Sequence, residues 1–301
     1  DSTTANNNTY IGWYAAYYQQ VGGNNVAIGH QTLYGASGKA NSATENVAIG
    51  YQAAMGSDVG EGLTAVGSRA LRNVSDSGSY STGIGYYAGF YASGSYNTFV
   101  GGNAGKGGTT SAPFSSGENN TAMGYQALMS FTTAKGVTAL GYEAMTDVTS
   151  GEYNVAVGYQ AGYYGSGSYN VKIGAFADNN QNSNGSYNVV IGYRAANGRI
   201  ADGNVGIGHY AMRFGGGGSS NVAVGDSSLQ YPQGDYTTVA GAQSGRFATG
   251  SYNTFMGYRA GYGNQSAPYS SGQSNTAVGY KALGVFTTAN YNAAFGKNAL
   301  K

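Results

Sequence analysis

Residues 46–53 read NVAIGYQA. In its first five residues Val47 and Ile49 share one side of an extended chain and Ala48 takes the other, as alternate strand residues do. A helix finds no room, because glycine interrupts every few residues. The phrase returns as NVAVGYQAG at 154–162 and NTAVGYKAL at 275–283. A longer form, GSYNTFVGGNAGKG at 94–107, is matched by GSYNTFMGYRAGYG at 250–263. Aligned on the central glycine, the phrase recurs at Gly12, Gly29, Gly50, Gly67, Gly85, Gly101, Gly124, Gly141, Gly158, Gly174, Gly192, Gly208, Gly225, Gly241, Gly257, Gly279 and Gly296. Steps are mostly 16 to 18 residues, with enlarged turns near 30–45, 103–119 and 259–274.

Such a period predicts a parallel β-solenoid of about 17 coils forming a single continuous domain over 1–301. Positions are counted below from the glycine as zero. Position −1 is a bulky aliphatic or Phe in every coil except at Ala240, which predicts a column facing the core. At −3, Val and Thr interchange (Val26, Val47, Thr98, Thr121, Val155, Thr254), as in a tight inner site where a hydroxyl finds a backbone partner. Position −2 carries Ala27, Phe99, Lys172 and Gly206, the tolerance expected of a solvent face. Position +3 is always Ala, Ser or Thr, which marks a narrow interior. Each coil is expected to supply two short strands and two turns, stacked ~4.8 Å apart. The glycine turns the strand end where a Cβ would clash or φ must be positive. Asn at −4 (Asn8, Asn46, Asn120, Asn154, Asn188, Asn221, Asn275) suggests an amide ladder. Tyrosines form two further columns, at +1 (Tyr51, Tyr125, Tyr280) and at −5 (Tyr80, Tyr169, Tyr252), and His30 and His209 stand in the first.

Composition narrows function. The 301 residues include 53 glycines and 29 tyrosines but only 9% charged residues, with a formal net charge of +1. Nucleic acid as a partner needs a basic footprint that this balance lacks. Disorder is disfavoured by 41% hydrophobic residues with so little charge. With no cysteine, neither disulfides nor thiolate metal sites can form. No apolar run approaches a membrane span and no signal peptide opens the sequence, so membrane insertion is not expected.

NVAIGYQA, NVAVGYQAG and NTAVGYKAL resemble the repeats of YadA-type trimeric autotransporter heads, and more closely the NTAxGYxAL arrays of bacteriophage tail fibres. The resemblance covers nearly the whole chain. It implies a parallel β-roll, left-handed in the head family, in a three-fold bundle with a fibrous or adhesive role. The coils here are longer than the head repeat, and no coiled-coil stalk, anchor or chaperone domain is readable within the sequence.

Catalytic chemistry is not expected. The 13 acids are scattered and none recurs at coil spacing beside a His or Arg. His30 and His209 are ten coils apart, too far to share a metal, and substitute for tyrosine. GGNAGKGG (101–108) fails as a phosphate loop, because Gly107 stands where Ser or Thr is needed. Neither cofactor nor metal is implied. A water-ordering, ice-binding surface would need a flat exposed Thr array, whereas the −3 column is expected to face inward.

Recognition is instead sought in loops. SAPFSSGENNTAMGYQALMSFTTA (111–134) returns as SAPYSSGQSNTAVGYKALGVFTTA (266–289), making Pro113, Phe114, Pro268 and Tyr269 candidate binding residues. The expected function is a structural and adhesive fibre segment of a phage tail or bacterial surface. It would be extracellular and homotrimeric and present loops to a cell-surface glycan or other receptor. The array runs to the C-terminal NAAFGKNALK, which is expected either where flanking parts are removed or omitted or where the ends meet head to tail. The second makes a self-assembling filament the alternative function, ahead of a polysaccharide depolymerase.

Overall fold

A computed structural model gives the fold, describing residues 6–19, 21–35, 43–56, 60–74, 79–108, 114–266 and 269–300. Over these described residues it is all-β: seventeen parallel strands stacked as a β-solenoid. The chain divides into two compact units, Asp1–Tyr153 and Asn154–Lys301. The first holds β1 (Thr9–Ile11), β2 (Val26–Ile28), β3 (Val47–Ile49), β4 (Thr64–Val66), β5 (Thr82–Ile84), β6 (Thr98–Val100), β7 (Thr121–Met123) and β8 (Thr138–Leu140). The second runs from β9 (Val155–Val157) through β10 (Val171–Ile173), β11 (Val189–Ile191), β12 (Val205–Ile207) and β13 (Val222–Val224). It continues with β14 (Thr238–Ala240), β15 (Thr254–Met256), β16 (Thr276–Val278) and β17 (Ala293–Phe295). Register is strict: Val47, Ala48 and Ile49 pair with Thr64, Ala65 and Val66.

The strands end at the glycine column for two reasons at once. Gly50 has φ +127°, and a Cβ there would lie 2.7 Å from the Gly67 carbonyl oxygen. Gly85 repeats this against Gly101 at 2.6 Å, with φ +133°. Neither the conformation nor the spacing admits a side chain.

Asn at −4 performs a more specific task than amide stacking. In the first unit Asn120 Oδ1 accepts the Val137 backbone N–H at 3.0 Å, and its Nδ2 donates across the coil to the Ala134 carbonyl at 2.8 Å. In the second unit Asn188, Asn204, Asn221 and Thr237 each donate their backbone N–H to the preceding Asn Oδ1 at 2.8–3.0 Å. The side chain thus satisfies a backbone group that would otherwise be buried without a partner.

Three expectations are corrected. First, each coil contributes one strand, not two. After the glycine the backbone takes positive φ at alternate residues, as at Gln126 (+54°) and Leu128 (+52°). Its hydrogen bonds point alternately up and down the stack: Gln126 N–H reaches the Gly102 carbonyl, and Leu128 N–H the Ala144 carbonyl, both at 2.9 Å. Among the described residues only isolated bridges, such as Ala92 with Ser115, stand in place of the second strand.

Second, the strand faces are reversed. Position −2 is the buried one throughout β2–β16, while −1 and −3 face outward. Ile49 is 37% exposed and Met123 is 49% exposed. The interior is too narrow for branched side chains from every coil, so small −2 residues and the small +3 column line it. The remaining volume is filled from +4, where Leu33, Leu71, Leu128 and Met145 are buried. Variety at −2 reflects compensation, not tolerance. Gly105 and Gly89 make room for the fully buried ring of Phe99, and Gly261 and Gly245 do so for Phe255.

Third, Lys172 is not a solvent residue. It is 2% exposed and its Nζ sits 2.8 Å from Asp178 Oδ2, at the +4 position of the same coil. Ser183 Oγ donates to the other carboxylate oxygen. Burial pushes the Asp178 carboxyl up, opposed by the Lys172 ammonium and the Ser183 hydroxyl. The ion pair stands where other coils place an Ala with a Leu.

Candidate functional site

Reversal of the strand faces brings four columns to the outside of each unit. Moving across the sheet they are Tyr at −5, Val or Thr at −3, aliphatic at −1 and Tyr at +1. Ile11, Ile49, Ile84 and Met123 are exposed in the first unit, and Val224, Met256 and Phe295 in the second. The Val or Thr column runs in blocks: Thr64, Thr82, Thr98, Thr121 and Thr138 are consecutive, as are Val155, Val171, Val189, Val205 and Val222. This overturns the inward orientation expected of the Thr column.

Both tyrosine columns are real stacks. At −5, Tyr80 and Tyr96 lie 5.6 Å apart at 7°, and Tyr169 and Tyr187 lie 5.1 Å apart at 1°. At +1, Tyr125 stacks on Tyr142 at 5.4 Å and Tyr258 on Tyr280 at 5.5 Å. The two histidines join this second ladder: His30 stacks on Tyr51 and His209 on Tyr193. His209 Nδ1 also meets Asp226 Oδ2 at 2.7 Å, both side chains being half exposed. The −5 tyrosines all hold left-handed φ, for example +60° at Tyr169. That places the rings outward beside the −4 residue, Asn in most coils but Ser81 after Tyr80 and Thr237 after Tyr236.

Cations lie on the rings. Arg69 spans Tyr51 and Tyr87 at 5.4 and 5.3 Å. Arg213 covers Tyr210 and Phe214 at 4.3 and 4.6 Å. Arg259 covers Tyr258 and Tyr262 at 5.4 and 4.8 Å. The outer surface is therefore aromatic, aliphatic and weakly cationic.

Of the predicted loop residues, Phe114 and Tyr269 are described, and neither stands as an isolated protrusion. Phe114 is half-buried and stacks on Tyr91 at 5.8 Å. Tyr269, also half-buried, packs on Tyr231 at 4.7 Å and Phe247 at 5.7 Å. Burial, with the neighbouring Tyr269, raises the Tyr231 phenol above its ordinary value. Pro113 and Pro268 lie outside the described residues. The structure thus joins Phe114 and Tyr269 to aromatic stacks along the coil edge.

Asp226, beside His209, is set with a histidine contrary to the expectation from sequence, whereas two other acids serve turns. Asp202 accepts the Ser186 N–H and Asp235 the Ser219 N–H. Among the described residues no group of three or more His, Cys, Asp or Glu is placed to hold a metal. Nor is any helix among them long and apolar enough to cross a membrane.

The −1 column is legible in the sequence but its outward orientation is not, nor is the pairing of Lys172 with Asp178. A signal existed: Phe or Lys at −2 coincides with Gly or Asp at +4, whereas Ala at −2 mostly coincides with Leu or Met. Fold and surface together define a β-solenoid repeat protein with a periodic aromatic and aliphatic exterior. No family model, curated protein or solved structure matches the chain.

Proposed function

We propose that the chain is a structural and adhesive fibre segment, from a phage tail fibre or a bacterial surface fibre, that works as a homotrimer outside the cell. One observation carries this reading: the strand face that looks outward is lined at −1 by aliphatic side chains in nearly every coil. A contiguous apolar surface of this kind marks an interaction site. A bundle of three chains would cover it and leave the flanking tyrosine ladders free to meet a glycan, since aromatic rings stack on the C–H faces of sugars. The resemblance of NTAVGYKAL to tail-fibre repeats supports the same reading.

Mass in solution by light scattering tests it. Three chains per particle are expected; a stable monomer at micromolar concentration would remove the bundle. A glycan array then tests adhesion. Growth of particles with concentration, seen as lengthening filaments, would instead favour the filament subunit.

The outward Thr64–Thr138 column favours a second reading, a water-ordering face. The exposed Ile84 and Met123 side chains roughen that face, and thermal hysteresis in a freezing assay distinguishes it.

A further inference from the structure

All 13 acids of the chain lie at or before Asp235. Beyond it come Arg246, Arg259, Lys281, Lys297 and Lys301, without one carboxylate side chain. Residues 236–301 are thus purely cationic within a sequence of net charge near zero, and such asymmetry points to an anionic partner. Two of these cations line one cleft. It has a volume of about 200 Å³ and is formed by Arg259, Tyr262, Gln265, Lys281, Gly284 and Val285.

We propose that this cleft binds an acidic sugar unit of a polysaccharide, with Arg259 and Lys281 taking the anionic group. The inference rests on the glycan-adhesive reading above and names the class of glycan. Among the described residues no carboxylate pairs with either cation. Arg259 is held by its Nε–H, which donates to Gln243 Oε1 at 2.7 Å, and by the Tyr262 ring beneath it. A guanidinium anchored in this way keeps further N–H donors for a bidentate contact with carboxylate or phosphate. Lys281 Nζ lies over the Tyr280 ring at 5.1 Å. Gln265 donates to the Tyr262 hydroxyl at 3.1 Å, which leaves its carbonyl oxygen as an acceptor for a sugar hydroxyl. Val285, 68% exposed, supplies an apolar edge for a ring face. The volume suits one pyranose ring, and so few cations do not make the dense footprint that a nucleic-acid backbone needs.

The earlier copy of this sequence provides a control. Where the later copy has Tyr258, Arg259 and Lys281, residues 94–134 carry Gly102, Asn103 and Gln126 at the same positions relative to their glycines. Those residues already fit a coil of this fold. The variant Arg259→Asn/Lys281→Gln is therefore expected to fold, and Tyr258→Gly gives a second variant that leaves both cations in place.

The test is titration of the full chain with a glucuronic acid tetrasaccharide, its neutral glucose counterpart, a hexose phosphate, and dextran sulfate as a generic polyanion. Tighter binding of the glucuronate oligomer than of the neutral one, by tenfold or more, is expected. Loss of at least tenfold in Arg259→Asn/Lys281→Gln, a smaller loss in Tyr258→Gly and weakening by salt are expected with it. Binding of the hexose phosphate in place of the uronate supports the same site with phosphate as the anionic group. Equal binding of neutral and acidic oligomers, with the double variant unaffected, overturns the site and leaves the adhesive reading intact. Dextran sulfate binding as tightly as glucuronate overturns it as simple ion exchange. No binding of any glycan removes both readings.

Discussion

The ring of Phe99 fills the space that a side chain on Gly105 would need, and it reaches within 2.8 Å of where a Cβ on Gly89 would stand. Elsewhere in the same unit Ala122 is buried together with Leu128, the reverse assignment of bulk to the two positions. The core is a zero-sum volume shared between −2 and +4.

Exchange across that pair is accordingly expected to be non-additive. Phe99→Ala alone should cost about 3–5 kcal/mol through the cavity it leaves. Gly105→Leu alone should be at least as damaging, because the ring blocks it. The double variant Phe99→Ala/Gly105→Leu restores the arrangement of Ala122 with Leu128 and should recover about 2 kcal/mol or more over the sum of the singles. Denaturant melts of the four proteins measure this. Simple additivity would refute volume sharing.

A similar exchange applies to the charged pair. Asp178→Ala strands a buried ammonium and should cost about 3–5 kcal/mol. Lys172→Ala/Asp178→Leu, which copies the ordinary coils, should be neutral or stabilising by about 1–4 kcal/mol. If the double variant were the least stable of the three, the pair would be a net stabiliser.

The glycine column should be intolerant where a neighbouring glycine is not. Gly124 has φ +135° and its Cβ position overlaps the Gly141 carbonyl, so Gly124→Ala should cost at least ~3 kcal/mol. Gly102 lies one residue beyond a column glycine, at the +1 position that holds Tyr in many coils, and would meet only the Tyr125 ring at 3.4 Å. Gly102→Ala should stay within about 0.5 kcal/mol. Thermal melts of the two alanine variants decide it.

For the Asn relay, Asn120→Ala removes the acceptor of the Val137 N–H and should cost about 1–3 kcal/mol. Asn120→Thr should recover part of that, because Thr237 fills the same column in the second unit and donates its hydroxyl to the Gly250 carbonyl at 3.2 Å. Hydrogen exchange at Val137 reports the loss directly.

On the outer face, Ile84→Asp should leave the melting curve almost unchanged while lowering the particle mass toward one chain. The side chain is exposed in the single chain, so a charge there costs little unless another copy covers it. Mass by light scattering reads this, and an unchanged mass would place the subunit contact elsewhere.

Much of this was legible in NVAIGYQA. Alternation, period, parallel stacking, the glycine column, the small +3 column and both tyrosine ladders follow from side-chain periodicity and from which positions never vary in size. Which strand face lies inside did not follow. Hydrophobicity alone assigned Ile49 to the core and Lys172 to water. The deciding quantity was width, recorded in the pairing of Phe99 with Gly105 and of Lys172 with Asp178. The alternating positive φ after the glycine was hidden for another reason. Leu128 and Met145 are unusual residues in a left-handed conformation, held there by hydrogen bonds to adjoining coils that local sequence does not encode.

Because column glycines such as Gly50 and Gly85 approach the carbonyl of the next, they fix how far apart those coils stand, and the exterior rings on them inherit that spacing. A polymeric ligand that engages one rung would meet equivalent groups a fixed step further along. Contacts too weak to detect with a single sugar could then add up to firm attachment through avidity.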